Sequence, residues 1–79
     1  MYFSLNYDNG YVVTVTRLWD DGMVRSKPLR KFKWQGDAIA FRDFDCSHLS
    51  ESQIKALVAR YDPNIKYRRL DNGKRFIKV

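Results

Sequence analysis

The sequence predicts a small single-domain α+β fold built on an antiparallel sheet: about four strands in a meander, one helix and a C-terminal β-hairpin, in the order ββββαββ. Three observations carry that expectation. Asp-Asn-Gly or Asp-Asp-Gly recurs at 8–10, 20–22 and 71–73, each time between stretches that read as strands. One segment, and only one, repeats apolar residues at helical spacing behind a capping signal. At 79 residues, 44% hydrophobic and 15% aromatic, the chain has enough apolar side chains for one core and too few for two.

The first strands flank Asp8-Asn9-Gly10, running over Met1 to Tyr7 and Tyr11 to Trp19. Glycine takes the left-handed conformation at little cost, so a three-residue loop is expected. Such a loop pairs Leu5 with Val13 and Phe3 with Val15. Alternation then puts Met1, Phe3, Leu5 and Tyr7 on one face with Tyr11, Val13 and Val15, which is the expected core face. Asp20-Asp21-Gly22 turns the chain into a third strand, Met23 to Lys27. Pro28 has no ladder donor, so that strand is expected to be interrupted there or to lie at an edge. Gly36-Asp37 reads as a further turn, into a fourth strand over Ala38 to Phe44 with Phe44 facing inward.

The helix is signposted at both ends. Ser50 caps, Gln53 completes a capping box, and Leu49 packs on Ile54 as a hydrophobic staple. Ile54, Leu57, Val58 and Tyr61 make one apolar stripe, with Glu51 and Lys55 paired on the outside. Asp62-Pro63-Asn64 ends the helix, because proline disfavours helical geometry in the residue before it.

The last fifteen residues, Ile65 to Val79, form the expected hairpin around Asp71-Asn72-Gly73. A three-residue loop sets Leu70 opposite Lys74, gathers Ile65, Tyr67, Ile77 and Val79 on one side, and puts Lys66, Arg68, Lys74, Phe76 and Lys78 on the other. A two-residue Asn-Gly loop would set Tyr67 against Lys78 and mix the faces, which argues for the longer loop.

The formal net charge is +6 and the isoelectric point about 9.7. Its distribution is uneven. Up to Met23 the only basic residue is Arg17, against Asp8, Asp20 and Asp21; the excess lies in the middle and the C-terminus. Arg25, Lys27, Arg30, Lys31 and Lys33 form a dense basic run with Phe32 and Trp34 interleaved. Extended, this run puts Arg30, Phe32 and Trp34 on one face and Leu29, Lys31 and Lys33 on the other, so neither face is wholly apolar. It reads either as a solvated edge strand whose lysines deter edge pairing while Phe32 and Trp34 cap the core, or as a strand that touches a ligand.

Support for catalysis is thin. Cys46 and His48 would share one side of a strand, a nucleophile-and-base spacing, with Asp43 or Asp45 to orient the base; no oxyanion site accompanies them. Cys46 reads better as a small buried residue and His48 as part of a connecting turn. One cysteine and one histidine do not make a structural zinc site, Asp43 and Asp45 alone are a poor cation cage, and the four glycines are isolated turn residues rather than a phosphate loop. A lone cysteine also excludes an internal disulfide. Met1 opens directly into a strand pattern, without a signal peptide or a span long enough for a bilayer, so a cytoplasmic protein with no membrane contact is expected.

The expectation is therefore a non-enzymatic basic binding protein without cofactor or metal. Its candidate contact residues are Lys66, Arg68, Lys74, Phe76 and Lys78 on the final hairpin, and Arg30, Lys31, Phe32, Lys33 and Trp34 in the basic run. The first partner expected is nucleic acid, with lysines and arginines on phosphates and an aromatic stacked on bases. The alternative is an accessory or inhibitor docking on an acidic surface of a larger protein, one that itself handles nucleic acid in the sharpest version, with Trp34 or Phe76 as anchors. An open edge strand could in addition join two copies into a homodimer. No stretch carries the aromatic signature of the RNA recognition sheet, the clamp loop of KH domains or a helix-turn-helix pattern.

Overall fold

The central strand collects the core. In the computed structural model, which describes residues 1–64 together with the strand backbones of Tyr67–Arg69 and Phe76–Lys78, a three-stranded antiparallel sheet is ordered β1(Tyr2–Tyr7), β2(Tyr11–Leu18), β3(Val24–Phe32). Two helical segments pack against it, making a small α+β domain. The first is α1 (Gln35–Ala40), which runs on into a π turn at Phe41–Asp45 and a 3-10 turn at Cys46–His48; the second is α2 (Glu51–Arg60). The core joins Val13, Val15 and Trp19 of the β2 segment to Leu29 and Phe32 of β3, Ala38, Phe41 and Cys46 of the first helical segment and Ile54 of α2. Phe3, Leu5, Tyr11, Leu49, Leu57 and Val58 pack around it. No helix among the described residues is long and apolar enough to cross a membrane.

The first hairpin has the expected register, with Phe3 opposite Val15, Leu5 opposite Val13 and Tyr7 opposite Tyr11. Met1 and Tyr7, although on that face, stay exposed at its two ends. The second turn holds Asp20-Asp21-Gly22. Gly22 at φ 80° donates its N–H to the Trp19 carbonyl at 2.9 Å, Trp19 donates its own to the Met23 carbonyl at 3.0 Å, and the Asp21 carboxylate accepts from the Met23 N–H at 3.0 Å.

The third strand is longer than expected, and the reason is a bulge. Thr14 pairs with Pro28 but Val13 pairs with Arg30, so Leu29 is an extra residue on β3. Leu29 and Phe32 are three apart, a spacing at which a regular strand turns its side chains to opposite faces. The inserted residue brings both into the core, at 1% and 2% exposure. Proline, lacking an N–H, sits where the ladder breaks and on an edge strand, which are the two places a strand tolerates it.

The expected fourth strand over Ala38 to Phe44 is helical instead. The buried set is Asp37, Ala38, Phe41 and Cys46. Ala38 to Phe41 is a helical step. The step of five to Cys46 is made by a widened turn in which the Cys46 N–H donates to the Phe41 carbonyl five residues back. Phe44, expected to face inward, is 68% exposed. Two alanines and a single β-branched residue, Ile39, are weak material for a strand and adequate for a helix.

The helix at 51–60 matches its signals. Gln53 donates its N–H to Ser50 Oγ at 3.3 Å while Gln53 Oε1 accepts from the Ser50 N–H at 2.7 Å, and Ile54 is buried beneath. Two ion pairs tie this helix to the β2 end of the sheet: Arg17 with Glu51, and Lys55 with Asp20 at 2.9 Å. Asp62 caps the following turn by accepting from the Asn64 N–H at 2.9 Å.

At the C-terminus β4 (Tyr67–Arg69) and β5 (Phe76–Lys78) pair antiparallel, with Tyr67 opposite Lys78, Arg68 opposite Ile77 and Arg69 opposite Phe76. This is offset by one residue from the expected pairing, and it is the register that would mix the faces. The side chains of Lys66, Arg68, Lys74, Phe76 and Lys78, and the loop between the strands, lie outside the described residues.

The helical reading of 38–45 has a direct thermodynamic consequence. Phe41→Ala is expected to cost about 3–5 kcal/mol in urea unfolding, the range for emptying a packed aromatic site, whereas Phe44→Ala is expected to change stability by less than about 0.5 kcal/mol. A strand with Phe44 inward would reverse that order.

Candidate functional site

The end of the sheet that carries the β1–β2 turn gathers aromatic rings and lysines. Asn9 at φ 53° and Gly10 at φ 144° close the loop, and the Asp8 N–H donates to the Gly10 carbonyl at 2.8 Å. This sets Tyr7 directly across from Tyr11. Their rings meet edge to face, 5.1 Å between centroids and 73° between planes, and Tyr7 remains 70% exposed. Tyr11 in turn pairs with Phe32, so the end of β3 arrives at the same place. With Phe32 committed to the core, Lys31 falls opposite Val12, and exposed Lys33 follows the last strand residue.

Lys31 is seated by its own stem. A Cβ on Gly10 would lie 2.8 Å from Lys31 Cε and 3.0 Å from its Cγ, so the methylene chain runs across the glycine. Together Tyr7, Asn9, Tyr11, Lys31, Lys33 and Asn64 border an open groove of about 510 Å³. Lys33 Nζ also stands 5.3 Å from the ring of Trp34, which precedes α1 and is half-buried.

The sequence-predicted contacts thus separate into two groups. Lys31 and Lys33 come together at the groove, and Trp34 stands beside Lys33 outside its lining. Arg30 and Phe32 turn the other way: the Arg30 guanidinium lies over the Phe41 ring at 5.1 Å, and Phe32 stacks obliquely on Phe41 at 5.4 Å. Phe32 is a core residue, 2% exposed, that also forms part of the groove lining. Tyr7, Tyr11, Asn9 and Asn64 were not among the expected contacts. The signal for the tyrosines was present, since a three-residue loop at 8–10 necessarily places Tyr7 opposite Tyr11.

Most other cations in the described residues are matched by acids. Arg25 pairs with Asp21 at 2.8 Å, Arg42 with Asp43 at 2.8 Å, and Arg17 and Lys55 with Glu51 and Asp20. The partners hold these exposed carboxyls below their ordinary range: Lys55 for Asp20, the Met23 N–H and then Arg25 for Asp21, Arg42 for Asp43, and Arg17 for Glu51. Lys27 and Arg17 both stand over the Trp19 ring, at 4.4 and 4.8 Å, with its Nε1 donating to the Arg25 carbonyl at 3.0 Å. Among the described residues no ion pair engages Lys31 or Lys33.

Cys46 and His48 do not form a reactive pair. In a 3-10 turn, positions two apart project roughly 120° from one another; Cys46 is buried and His48 exposed. Burial, with Asp45 adding to it, pushes the Cys46 thiol up to about 12. Among the described residues no group of three or more His, Cys, Asp or Glu side chains is placed to hold a metal ion. Comparison with protein-family models, curated proteins and solved structures gives no match.

The Cys46 shift has a sign that can be measured. Its folded value lies above the ordinary thiol value of 9.0, so the contribution to stability is intact below about pH 9 and lost as pH rises toward about 12. Urea unfolding of the native chain is expected to weaken over that window more than unfolding of Cys46→Ala. Alkylation at pH 8, followed by mass, is expected to be slow in the native state and fast in urea.

Proposed function

We propose that the chain is a non-enzymatic protein that binds single-stranded nucleic acid along the groove at the β1–β2 turn. Lys31 and Lys33 contact phosphates, and the open face of Tyr7 stacks on a base. The observation that carries this reading is one exposed tyrosine, held edge-on by Tyr11, beside two lysines that no acidic side chain of the described residues neutralises. A strand of nucleic acid offers both complementary groups at every step, an anionic oxygen and an aromatic face. Asn9 and Asn64 at the rim supply donors and acceptors for a base edge or a sugar. Lys66, Arg68, Lys74, Phe76 and Lys78 would extend the cationic track, a role that the composition of the last fifteen residues supports. Such a protein fits a cytoplasmic setting and needs no cofactor.

Titrating labelled single-stranded and duplex oligonucleotides across a salt series tests the reading. Binding is expected to prefer the single strand, and log K to fall with log salt by about 0.7 for each phosphate neutralised. Lys31→Ala or Lys33→Ala should weaken binding and flatten that slope by about one such unit, while Tyr7→Ala should cost about 1–3 kcal/mol and leave the slope unchanged. Absence of binding at low salt, together with one stoichiometric protein partner retained after nuclease treatment, would replace this reading with docking on an acidic protein surface.

A further inference from the structure

The two edges of the sheet are built differently. Edge strand β3 carries Pro28, a bulge, Lys27 and Lys31, each a device that deters pairing with another chain. Edge strand β1, Tyr-Phe-Ser-Leu-Asn-Tyr, has no proline, no glycine and no charge, and its register with β2 is unbroken over all six residues. Apart from the ladder to β2, no backbone hydrogen bond of the described residues reaches β1. Phe3 and Leu5 belong to the core face yet remain only half-buried, so apolar surface is left uncovered along this edge.

The β1 edge places no charge in the way of a second copy. Two copies of a chain of net charge +6 repel one another. The strand β1 contributes no charge, and up to Met23 acidic residues outnumber basic ones three to one. Contact along β1 therefore sets no like charges of that strand face to face.

We propose that β1 is a self-pairing edge: two copies join antiparallel along it, about a two-fold axis at Ser4, into a continuous six-stranded sheet. A two-fold axis perpendicular to a sheet keeps both core faces on the same side only if paired residues have the same parity. The axis then falls on Ser4 or on Leu5. At Ser4 it sets Phe3 opposite Leu5 of the second copy and Tyr2 opposite Asn6, covering the half-buried apolar pair. At Leu5 it would draw Tyr7 into the ladder and away from the groove.

Sedimentation equilibrium of the full chain over micromolar to submillimolar concentrations is expected to show the mass rising from 9.4 kDa toward twice that value. Ser4→Lys puts like charges face to face at the axis and is expected to return the mass to 9.4 kDa with an unchanged circular dichroism spectrum, and to remove the rise of melting temperature with concentration that pairing gives the native chain. Lys31→Ala should leave the association intact, which separates this proposal from the groove. Under mild oxidation Ser4→Cys should form a covalent dimer, because directly opposed residues lie within disulfide reach, whereas Tyr2→Cys should not. A chain that stays at 9.4 kDa throughout, or a dimer that survives Ser4→Lys, overturns the proposal. Cross-linking through Tyr2→Cys but not Ser4→Cys overturns it as well.

Discussion

The extra residue in β3 decides which side chains this protein hides and which it shows. Between Leu18 opposite Val24 and Thr14 opposite Pro28 the strand is regular; beyond it, from Val13 opposite Arg30 to Tyr11 opposite Phe32, the pairing has slipped by one. Had it not slipped, Lys31 would stand opposite Tyr11 on the core face and Phe32 would face out. An unpaired ammonium in the core is far costlier than a local break in the ladder, and a strand whose Pro28 cannot donate has little ladder to lose there. The core therefore selects the bulge. One consequence is packing, through Leu29 and Phe32; the other is the surface, since Lys31 is left on the open side at the mouth of the groove.

That slip also explains which parts of the fold were legible from sequence. Elements fixed by local chemistry were read correctly: the glycine loops at 8–10 and 20–22, the register of β1 on β2, and the capping box at Ser50 and Gln53. Elements fixed by tertiary demand were not. Strict alternation through Leu29 to Trp34 gives two mixed faces, and only a partner strand with its own apolar pattern, β2, reveals where a residue must be inserted. The segment at 35–48 failed for the same physical reason. Its apolar residues follow neither period cleanly, because the widened turn between Phe41 and Cys46 shifts the phase of the helix midway. Phe44 then looks inward on a strand template and proves to be exposed.

Charge is subject to the same distinction between composition and place. The middle of the chain is strongly basic in sequence, yet Arg25 and Arg42 are each taken up by an aspartate close in the chain. Arg17 and Lys55, far apart in sequence, meet Glu51 and Asp20 where α2 crosses the sheet. Exposed pairs of this kind contribute little to stability, but they determine which cations remain for a ligand. The lysines at 31 and 33 remain, and the sequence had named both; it had named Phe32 beside them on equal terms, and the fold assigns that ring to the core. Tyr7 and Tyr11 share the apolar face of the first hairpin, so alternation alone does not single out their rings as surface features. Tyr11 does pack against the core, and Tyr7, at the exposed end of that face, presents its ring to solvent.

The groove and the β1 edge impose compatible demands on a single strand. Tyr7 is the last residue of β1 and the first of the groove, so any pairing of β1 that used its full length would compete with a ligand for that backbone. An axis at Ser4 spans Tyr2 to Asn6 and stops one residue short. Two copies joined in this way would present their grooves at opposite ends of the β1 pair, on the strand ends farthest from the axis. A strand of about six residues rises roughly 3.3 Å per residue, so the two tyrosines would stand about 20 Å apart along the strand direction. A flexible single strand can reach across that distance, and the second contact then forms at the high effective concentration set by the first. Modest affinity at each groove would be multiplied without any enlargement of either site, a useful property in a chain this short with two lysines at its groove among the described residues.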